Sequence, residues 1–378
     1  MTRICMLIFM AVLSGAVSAI RTAASSGRSD DQADDGDSLL VMFWNLENMF
    51  DYRDSGTGES DVEFSSFGQR RWTKGRFYAK CNSVAKAVLW MADRYGRLPD
   101  VIGVAEVENA FVVRSIISAT ALKKYGYRMV HFDSPDRRGI DVALLYREEV
   151  FEKQSARPCH IYEQGLTGGR LMETRDILLV SLKHLADGHT YHFLVNHHPS
   201  KYGGAEASEG RRIIAMRTLR SVCDSLVTGD RDVMIIAMGD FNDTPSRGPF
   251  DILCGEEGRQ ENDGRNGPDA ERCGVGPGRN VMINLGCALE AAGEGTIRYG
   301  GKWELIDMFI VSCSLAGGAS GRDDGKGSRS RMEVVKVPFL MARDNTHVGD
   351  RPFRTYSGPR YIGGVSDHCP IILTIKPQ

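Results

Sequence analysis

The sequence has little net charge of either sign, and this limits how the protein can bind its partners. Lys and Arg number 47 and Asp and Glu number 49, which gives a formal net charge of −2. A protein that binds a nucleic-acid backbone by charge alone needs a surplus of cations. The composition does not indicate such a protein, so any recognition of phosphate groups must be local.

The sequence also lacks a zinc-binding pattern. Its nine cysteines are scattered and include no Cys-x-x-Cys pair, whereas structural zinc sites use closely spaced cysteines and histidines. In an exported protein such cysteines permit disulfides, and buried free thiols are an equally good interpretation. The cysteine pattern therefore predicts no zinc site and leaves the pairing of the thiols open.

The apolar run near the N-terminus is short for a membrane-spanning helix, which needs about 20 residues. It extends from Ile4 to Val17, follows Arg3 and ends at small residues. This pattern is typical of a cleaved signal peptide over residues 1–19, with an uncleaved anchor as the alternative. We therefore predict export, to the periplasm or to the outside of the cell.

The rest of the chain is predicted to form a leader and one domain. Residues 20–38 are rich in Ser, Gly and Asp and contain few apolar side chains, which predicts a disordered leader. Apolar runs then alternate with amphipathic helical patterns, and no polar stretch separates two self-sufficient cores. Residues 39–378 are therefore predicted to form a single α/β domain.

One apolar run ends in a motif that carries two polar side chains. Ile235–Met238 is followed by Gly239-Asp240-Phe241-Asn242. Side chains two residues apart share a face of an extended chain, so Asp240 and Asn242 point the same way. Taken alone, this motif is also typical of a polar turn that closes a strand.

Five further apolar runs end in the same kinds of side chain, and this favours a functional site. Carboxylate and amide oxygens suit Mg²⁺, Mn²⁺ or Ca²⁺, whereas zinc prefers more histidine or cysteine. The pattern predicts a metal-assisted hydrolase of phosphate esters. The strand-end residues are Asn45 and Glu47, Glu106, Asn196 and His198, Asp240 and Asn242, Asp307, and Asp367 with His368.

Together, the Gly239–Asn242 motif and Ser366-Asp367-His368 make the chain resemble the endonuclease/exonuclease/phosphatase superfamily, which is related to deoxyribonuclease I. The resemblance extends from Leu39 to Ile375, in the order of the family's motifs. It implies a four-layer α/β sandwich, in which two facing mixed β-sheets are flanked by helices and the active site lies at one rim.

The resemblance implies a divalent-metal site built from strand-end oxygens. Glu106 corresponds to the primary ligand, and Asn45 and Glu47 lie beside it. Asp367 is expected to contribute to the metal or to a contact behind it. The expected cofactor is Mg²⁺, with Mn²⁺ or Ca²⁺ as alternatives.

The same resemblance implies catalytic roles for five side chains. Asp240 is expected to orient or deprotonate the attacking water, and Asn242 to hydrogen-bond the water or a phosphate oxygen. Asp307 is expected to hold the imidazole of His368 in its charged form beside the phosphate. His198 would donate a hydrogen bond to the transition state.

Three more residues are predicted to bind the substrate. Arg175 is a candidate phosphate clamp, because a guanidinium can bind two oxygens at once. Asn196 belongs to the family's Asn-x-His pattern, and Lys201 either meets an anionic substrate or is a solvated surface charge. His197 neighbours His198 on a strand and must point the other way, so it is expected to be packed or to line the rim.

The leading functional hypothesis is an exported, divalent-metal-dependent phosphodiesterase that acts on nucleic acid as an endonuclease or exonuclease. The alternative within the family is a phosphatase or a sphingomyelinase-like phosphodiesterase, acting on a small phosphate ester or a phospholipid head group. An alternative of another class is an inactive binding protein that keeps the fold, although none of the strand-end groups is missing. The sequence indicates no obligate protein partner.

Overall fold

The computed structural model describes residues 38–54, 60–163, 169–201, 203–228, 232–254, 282–316 and 329–376. The predicted signal peptide, and the predicted leader up to residue 37, lie outside these ranges. Both remain predictions that N-terminal sequencing of the mature protein would check. Within the described ranges, no helix combines the length and the apolar character needed to cross a membrane.

Eighteen strands are present in the described residues. They are β1 (Leu39–Met49), β2 (Val101–Val107), β3 (Tyr127–His131), β4 (Asp141–Arg147), β5 (Phe151–Cys159), β6 (Ile177–His184), β7 (Thr190–His197), β8 (Met234–Asp240), β9 (Met282–Asn284), β10 (Ile297–Tyr299), β11 (Lys302–Glu304), β12 (Asp307–Ser312), β13 (Ser330–Val334), β14 (Met341–Arg343), β15 (Asp350–Pro352), β16 (Tyr356–Ser357), β17 (Arg360–Tyr361) and β18 (Ile371–Ile375).

Seven α-helices and two short 3₁₀ helices accompany these strands in the described part of the chain. The α-helices are α1 (Asp61–Phe64), α2 (Lys74–Tyr95), α3 (Ala110–Ser118), α4 (Ala205–Val227), α5 (Pro249–Cys254), α6 (Gly286–Ala291) and α7 (Cys313–Ala316). The 3₁₀ helices are Ala121–Lys124 and Pro338–Leu340.

Two six-stranded sheets contain most of the long strands. Sheet I has the order β13-β18-β1-β2-β4-β3, and sheet II has the order β5-β6-β7-β8-β12-β9. Strands β1 and β2 are parallel in sheet I, and β7 and β8 are parallel in sheet II, while the other pairs in both sheets are antiparallel. Both sheets are therefore mixed, as predicted.

Alternation along β1 shows how sheet I separates two apolar layers. Phe43 belongs to the cluster shared with sheet II, whereas its neighbour Trp44 packs in the cluster that contains Phe77 of α2 and Val112 of α3. Successive side chains of a strand point to opposite faces, so a strand buried on both sides is apolar throughout. Sheet I therefore has sheet II on one face and helices on the other.

Helix α4 supplies the fourth layer. Its Met216 and Leu219 are fully buried in the same apolar cluster as the strands of sheet II. Burial of each such side chain stabilises the fold by about 2 kcal/mol. The order of helix, sheet, sheet and helix confirms the predicted four-layer sandwich of two mixed sheets flanked by helices.

Candidate active site

Strand pairing brings polar residues from both sheets to one rim. In sheet II, Asp240 is aligned with His197 on the parallel strand β7 and with Asp307 on the antiparallel strand β12. In sheet I, Asn45 is aligned with Ala105, the residue before Glu106. The Nδ2 of Asn45 lies 3.0 Å from Oδ2 of Asp240, so the two sheets meet at this point.

A glycine permits the approach of β7 to β8 just before the site. A Cβ atom on Gly239 would lie 2.3 Å from the carbonyl oxygen of Asn196, closer than side chains tolerate. Gly239 is therefore required by the neighbouring strand, and the adjacent Asp240 is positioned by that contact. This is a physical reason for the glycine of the Gly-Asp-Phe-Asn motif.

Asp307, His368 and Asp240 form one buried group. The Nδ1 of His368 lies 2.7 Å from Oδ2 of Asp307, and its Nε2 lies 3.8 Å from Oδ2 of Asp240. Burial opposes charge on the imidazole, but the carboxylates of Asp307 and Asp240 raise the pKa of His368 well above its usual range. An imidazolium at neutral pH is the consequence, as the sequence predicted for this pair.

Asp240 has the properties of a general base. Burial and the nearby charge of Asp307 raise the pKa of Asp240 to about 7, while His368 opposes the rise. The side-chain amide of Asn45 donates to one oxygen, and the backbone N–H of Asn242 donates to the other over 2.9 Å. A base whose pKa lies near the working pH accepts protons most effectively.

Glu106 is held at the end of β2 by residues from β1. Its Oε2 accepts a 2.6 Å hydrogen bond from the backbone N–H of Asn48, and its Oε1 lies 3.4 Å from Nδ2 of Asn45. The side chain is 14% exposed. The donors from Asn48 and Asn45 therefore orient the carboxylate of Glu106, and part of its side chain remains exposed at the rim.

Glu47 and Asp367 are joined by one arginine. The guanidinium of Arg354 donates to Glu47 over 3.3 Å and also to Asp367. The other carboxylate oxygen of Glu47 accepts from the backbone N–H of Thr355 at 2.8 Å. Burial, with the charge of Asp367 as the second cause, raises the pKa of Glu47 to about 7.

These carboxylates fit a divalent metal ion. The negative charges of Glu47, Glu106 and Asp367 all act on the buried ammonium group of Lys80, and Arg354 joins Glu47 to Asp367. Burial, followed by the charge of Asp367, raises the pKa of Glu47, while Lys80 and Arg354 oppose the rise. Carboxylate oxygens are the donors that Mg²⁺ and Mn²⁺ prefer.

Asp240, Asp307 and His368 also lie close enough to share an ion, with one ligand atom of each within 4.8 Å of the others. However, the Nδ1 of His368 is already bound to Asp307. The imidazolium supplies the positive charge that a metal would supply. This group therefore suits proton transfer better than metal binding.

A third cluster is explained by local structure. His131, Asp133 and Asp141 could also approach an ion, but Asp141 accepts hydrogen bonds from the backbone N–H of Ser134 at 2.9 Å and lies 3.2 Å from Nε2 of His131. These contacts close the loop between β3 and β4. The cluster therefore holds this loop in place.

Backbone strain is concentrated at the rim. Five non-glycine residues of the described chain have positive φ, and four of them belong to the site: Glu47 at 45°, Asn48 at 51°, Glu106 at 59° and Asn242 at 52°. This conformation costs free energy for residues with a Cβ atom. Such outliers are typical of residues held for function.

Of the two adjacent histidines, His197 lies at the site and His198 packs in the interior. The Nε2 of His197 lies 3.9 Å from Oε1 of Glu106 and 3.7 Å from Oδ2 of Asp240, so His197 faces the site. The ring of His198 packs edge-on against Phe241, 5.0 Å between centroids, and is buried. The prediction that His198 faces the substrate is wrong, whereas His197 lies at the rim, one of the two places expected for it.

Arg175 holds the turn that follows β7 in place through hydrogen bonds and an ion pair. Its Nε donates to the carbonyl of His197, Nη2 donates to the carbonyl of His198 at 2.6 Å, and Nη1 pairs with Asp136 at 3.0 Å. The side chain is 7% exposed. The predicted phosphate clamp is thus mainly a support for the two histidines, because its donors are already engaged.

The other two predicted substrate-binding residues have protein partners. Asn196 is fully buried, and its amide donates to the carbonyls of Leu194 and Met238. The prediction for Asn196 is therefore wrong, because no part of its side chain reaches solvent. Lys201 is partly exposed and forms an ion pair with Glu304 at 3.1 Å, so its contact with a substrate stays a prediction.

An open basin of about 1060 Å³ borders the site. Asn48 lies on its wall, and Arg138 contacts Asn48 through a 2.8 Å hydrogen bond. Sequence reasoning did not identify Arg138, although the Asp-Arg-Arg-Gly loop before β4 was a signal. The charged lining residues are Arg70, Arg137, Arg138, Arg170, Arg175 and Arg211, with Glu63, Asp136, Glu163 and Glu173.

Comparison with known proteins supports this reading of the fold. A model of the Endonuclease/Exonuclease/phosphatase family matches residues 40–377. A family protein from Bacteroides thetaiotaomicron has a TM-score of 0.51 and 16% identity, covering 89% of this chain and 97% of that chain. No curated protein sequence matches the chain.

Two further solved structures share the fold. A mannosyl-6-phosphatase from Bacteroides thetaiotaomicron matches at a TM-score of 0.51 and 16% identity, over 89% of this chain and 99% of that one. A family protein from Bacteroides vulgatus matches at 0.50 and 14% identity, over 90% and 99%.

The sandwich and its rim of carboxylates and histidines define an enzyme that hydrolyses phosphate esters with the aid of a divalent metal. The family model covers nearly the whole described domain. The chain therefore belongs to the endonuclease/exonuclease/phosphatase family.

Proposed function

We propose that this enzyme hydrolyses phosphodiester bonds in nucleic acid, with Mg²⁺ or Mn²⁺ as its cofactor. The observation that carries this proposal is the arginine-rich basin beside the site. It is large compared with a single phosphate group, and six arginines line it. A polynucleotide presents several phosphates in a row, so it would use both the rim and the basin.

The proposed reaction begins with a water molecule beside Asp240. Asp240 takes a proton from the water, the water oxygen bonds to phosphorus, and the ester P–O bond breaks. Its pKa of about 7 makes Asp240 a competent acceptor at neutral pH. Asn242, whose N–H orients the carboxylate, hydrogen-bonds the water or a phosphate oxygen.

Two histidines are proposed to meet the phosphate oxygens. His368, held as an imidazolium by Asp307, donates from Nε2. Burial and the charges of Arg175 and Arg138 lower the pKa of His197 well below its usual range, so His197 is a neutral donor. These donors stabilise the negative charge that develops on the transferred group.

The carboxylates at the other side of the rim are proposed to hold the metal. A divalent cation bound by Glu106, Glu47, Asp367 and Asn45 would neutralise the phosphate and stabilise the leaving oxygen. The strained φ angles of Glu47 and Glu106 support this role, because the fold maintains them at the point where the ligands converge.

A phosphorylated sugar is the second candidate substrate. Four carboxylates lie among the arginines of the basin, and carboxylates accept hydrogen bonds from sugar hydroxyls. The structural likeness to a mannosyl-6-phosphatase is in keeping with this alternative, although at 16% identity it shows only a common fold.

A substrate panel tests the proposal. The purified enzyme with Mg²⁺ or Mn²⁺ is offered single- and double-stranded DNA, RNA, sphingomyelin and mannose 6-phosphate. We expect cleavage of nucleic acid, and Arg138→Ala should raise KM for it about tenfold, since a charge-assisted hydrogen bond is lost. Arg128→Ala is the control, because Arg128 is exposed and pairs with Glu148. Turnover of the sugar phosphate or the lipid without cleavage of nucleic acid would refute the nuclease proposal.

A further inference from the structure

Lys80 lies on the apolar face of an otherwise ordinary amphipathic helix. It is three residues after Phe77 and four before Val84 in α2, and both of these side chains are fully buried. Residues at these spacings share one face of a helix. The side chain of Lys80 is accordingly buried, with 2% exposure. A buried ammonium group is costly unless it has charged or polar partners.

The partners of Lys80 belong to the candidate metal site. Its Nζ donates to the backbone carbonyl of Glu47 and, at 2.8 Å, to Oγ1 of Thr355. Burial lowers the pKa of Lys80 to about 8, and the carboxylates of Glu47, Glu106 and Asp367 oppose that effect. The ammonium group therefore lies against the backbone of Glu47, and the charges of the three acids favour its charged form.

Lys80 also holds the strained end of β1. Glu47 and Asn48 both have positive φ, an unfavourable conformation for residues with side chains. The carbonyl of Glu47 is held by Lys80, and the N–H of Asn48 is held by Glu106. Thr355, the second partner of Lys80, donates its own N–H to the carboxylate of Glu47. Lys80 thus contacts the ligand turn both directly and through Thr355.

We propose that Lys80 is a positioning residue that serves as the internal counter-charge of the metal site, holding the turn and the carboxylate of Glu47 in place before the metal binds. Lys80 acts through Glu47 and does not touch the substrate. This inference rests on the proposed metal site and is independent of which phosphate ester is cleaved. Once a divalent ion is bound, part of the counter-charge comes from the ion, so the protein depends less on Lys80.

Thermal unfolding of the full chain in EDTA and in saturating Mn²⁺ tests this proposal. Lys80→Met keeps the aliphatic length and removes the charge. We expect its Tm to fall about 6–10 °C below that of the wild type in EDTA, and the deficit to shrink to less than half in Mn²⁺. Lys86→Met, on the exposed side of the same helix, is the matched control and should change Tm by less than about 2 °C in both conditions.

A charge-removal pair provides a second readout. Glu47→Gln should lower Tm in the wild type but raise it in the Lys80→Met background in EDTA, because it removes an uncompensated carboxylate. If Lys80→Met alone does not fold in EDTA, folding of the double variant supports the proposal, and failure of the double variant to fold overturns it.

Two results would contradict the proposal, and each has a different meaning. Equal Tm deficits for Lys80→Met in EDTA and Mn²⁺ would show that Lys80 is only a satisfied core residue. Absence of any Mn²⁺ effect on the wild-type Tm would overturn the metal site together with the role of Lys80. Neither result depends on the substrate panel.

Discussion

In one half of the candidate site, His368 and Asp307 pair directly across 2.7 Å, whereas in the other half Glu47 and Asp367 are joined only through Arg354. The first half, which we call the relay half, consists of Asp240, Asp307 and His368 and contains its own cation. The second, the carboxylate half, consists of Glu47, Glu106 and Asp367, and its cations come from α2 and from the segment after β15.

The difference between the halves explains why they suit different chemistry. An acid–imidazole pair already balanced in charge can move a proton without an additional ion. Burial and the neighbouring charge of Asp367 raise the pKa of Glu47 in the carboxylate half, and a divalent cation bound there would stabilise the charged form.

The largest expected effects are losses of kcat, and a measurement of Mn²⁺ affinity distinguishes the two halves. Asp240→Asn should lower kcat by about 10³-fold and leave Mn²⁺ affinity within about threefold of the wild type, because it removes the base but no metal ligand. Glu106→Gln should lower kcat comparably and weaken Mn²⁺ binding at least tenfold. Steady-state kinetics and calorimetric Mn²⁺ titration check the pair. Equal losses of Mn²⁺ affinity in both variants would contradict the division.

A smaller effect is expected at the histidine between the halves. His197→Gln should lower kcat by about 10²-fold, since Nε2 of His197 lies within 4 Å of both Glu106 and Asp240. His198→Gln is the matched control, because its ring packs on Phe241, and it should reduce Tm more than kcat. The two variants are compared by kinetics and by thermal unfolding. A greater loss of kcat in His198→Gln would restore the role that the sequence predicted for that residue.

The smallest effect concerns the stability of the relay half against pH. The folded-state pKa of His368 is raised above its usual value, so its contribution to stability is complete below about pH 6.5 and is lost as pH rises through the folded pKa. The loss is about 1.4 kcal/mol for each tenfold difference in proton affinity between the folded and unfolded states.

Urea unfolding in EDTA measures this contribution as the gap in unfolding free energy between the wild type and His368→Gln. The gap should narrow between pH 6 and pH 9. The control is His189→Gln, since His189 is exposed, and its gap should not depend on pH. A gap for His368→Gln that is constant over this range would show that the imidazole does not titrate as described.

Local patterns predicted the strands and their polar ends correctly because successive side chains of a strand point to opposite faces. The apolar run before Asp240 forms β8, and at its end the backbone N–H of Asn242 donates to the carboxylate of Asp240, while the side-chain amide of Asn242 donates to the carbonyl of His198. The same rule misplaced His198. It assigns opposite faces to neighbours, but only the register between strands shows which face meets the site, and His197 is aligned with Asp240.

Other residues were missed because their partners are distant in the chain. Lys80 reaches Thr355, 275 residues away, and Arg354 reaches Glu47, 307 residues away. A lysine on an apolar helix face was visible in the sequence, yet its charge partners were not. Arg175 and Asn196 carried suitable side chains, and burial against backbone carbonyls gave them a supporting role.

The sequence by itself determined the strands and the strand ends at which oxygen and imidazole groups occur, because these depend on periodicity. Its short motifs determined the family, and the resemblance to that family implied the layers of the fold. Only the tertiary structure decided which of those groups face one another, since strand register and the packing of two sheets depend on contacts across the whole chain. It placed His197 at the rim, Lys80 at the carbonyl of Glu47, and Arg138 at the edge of the basin.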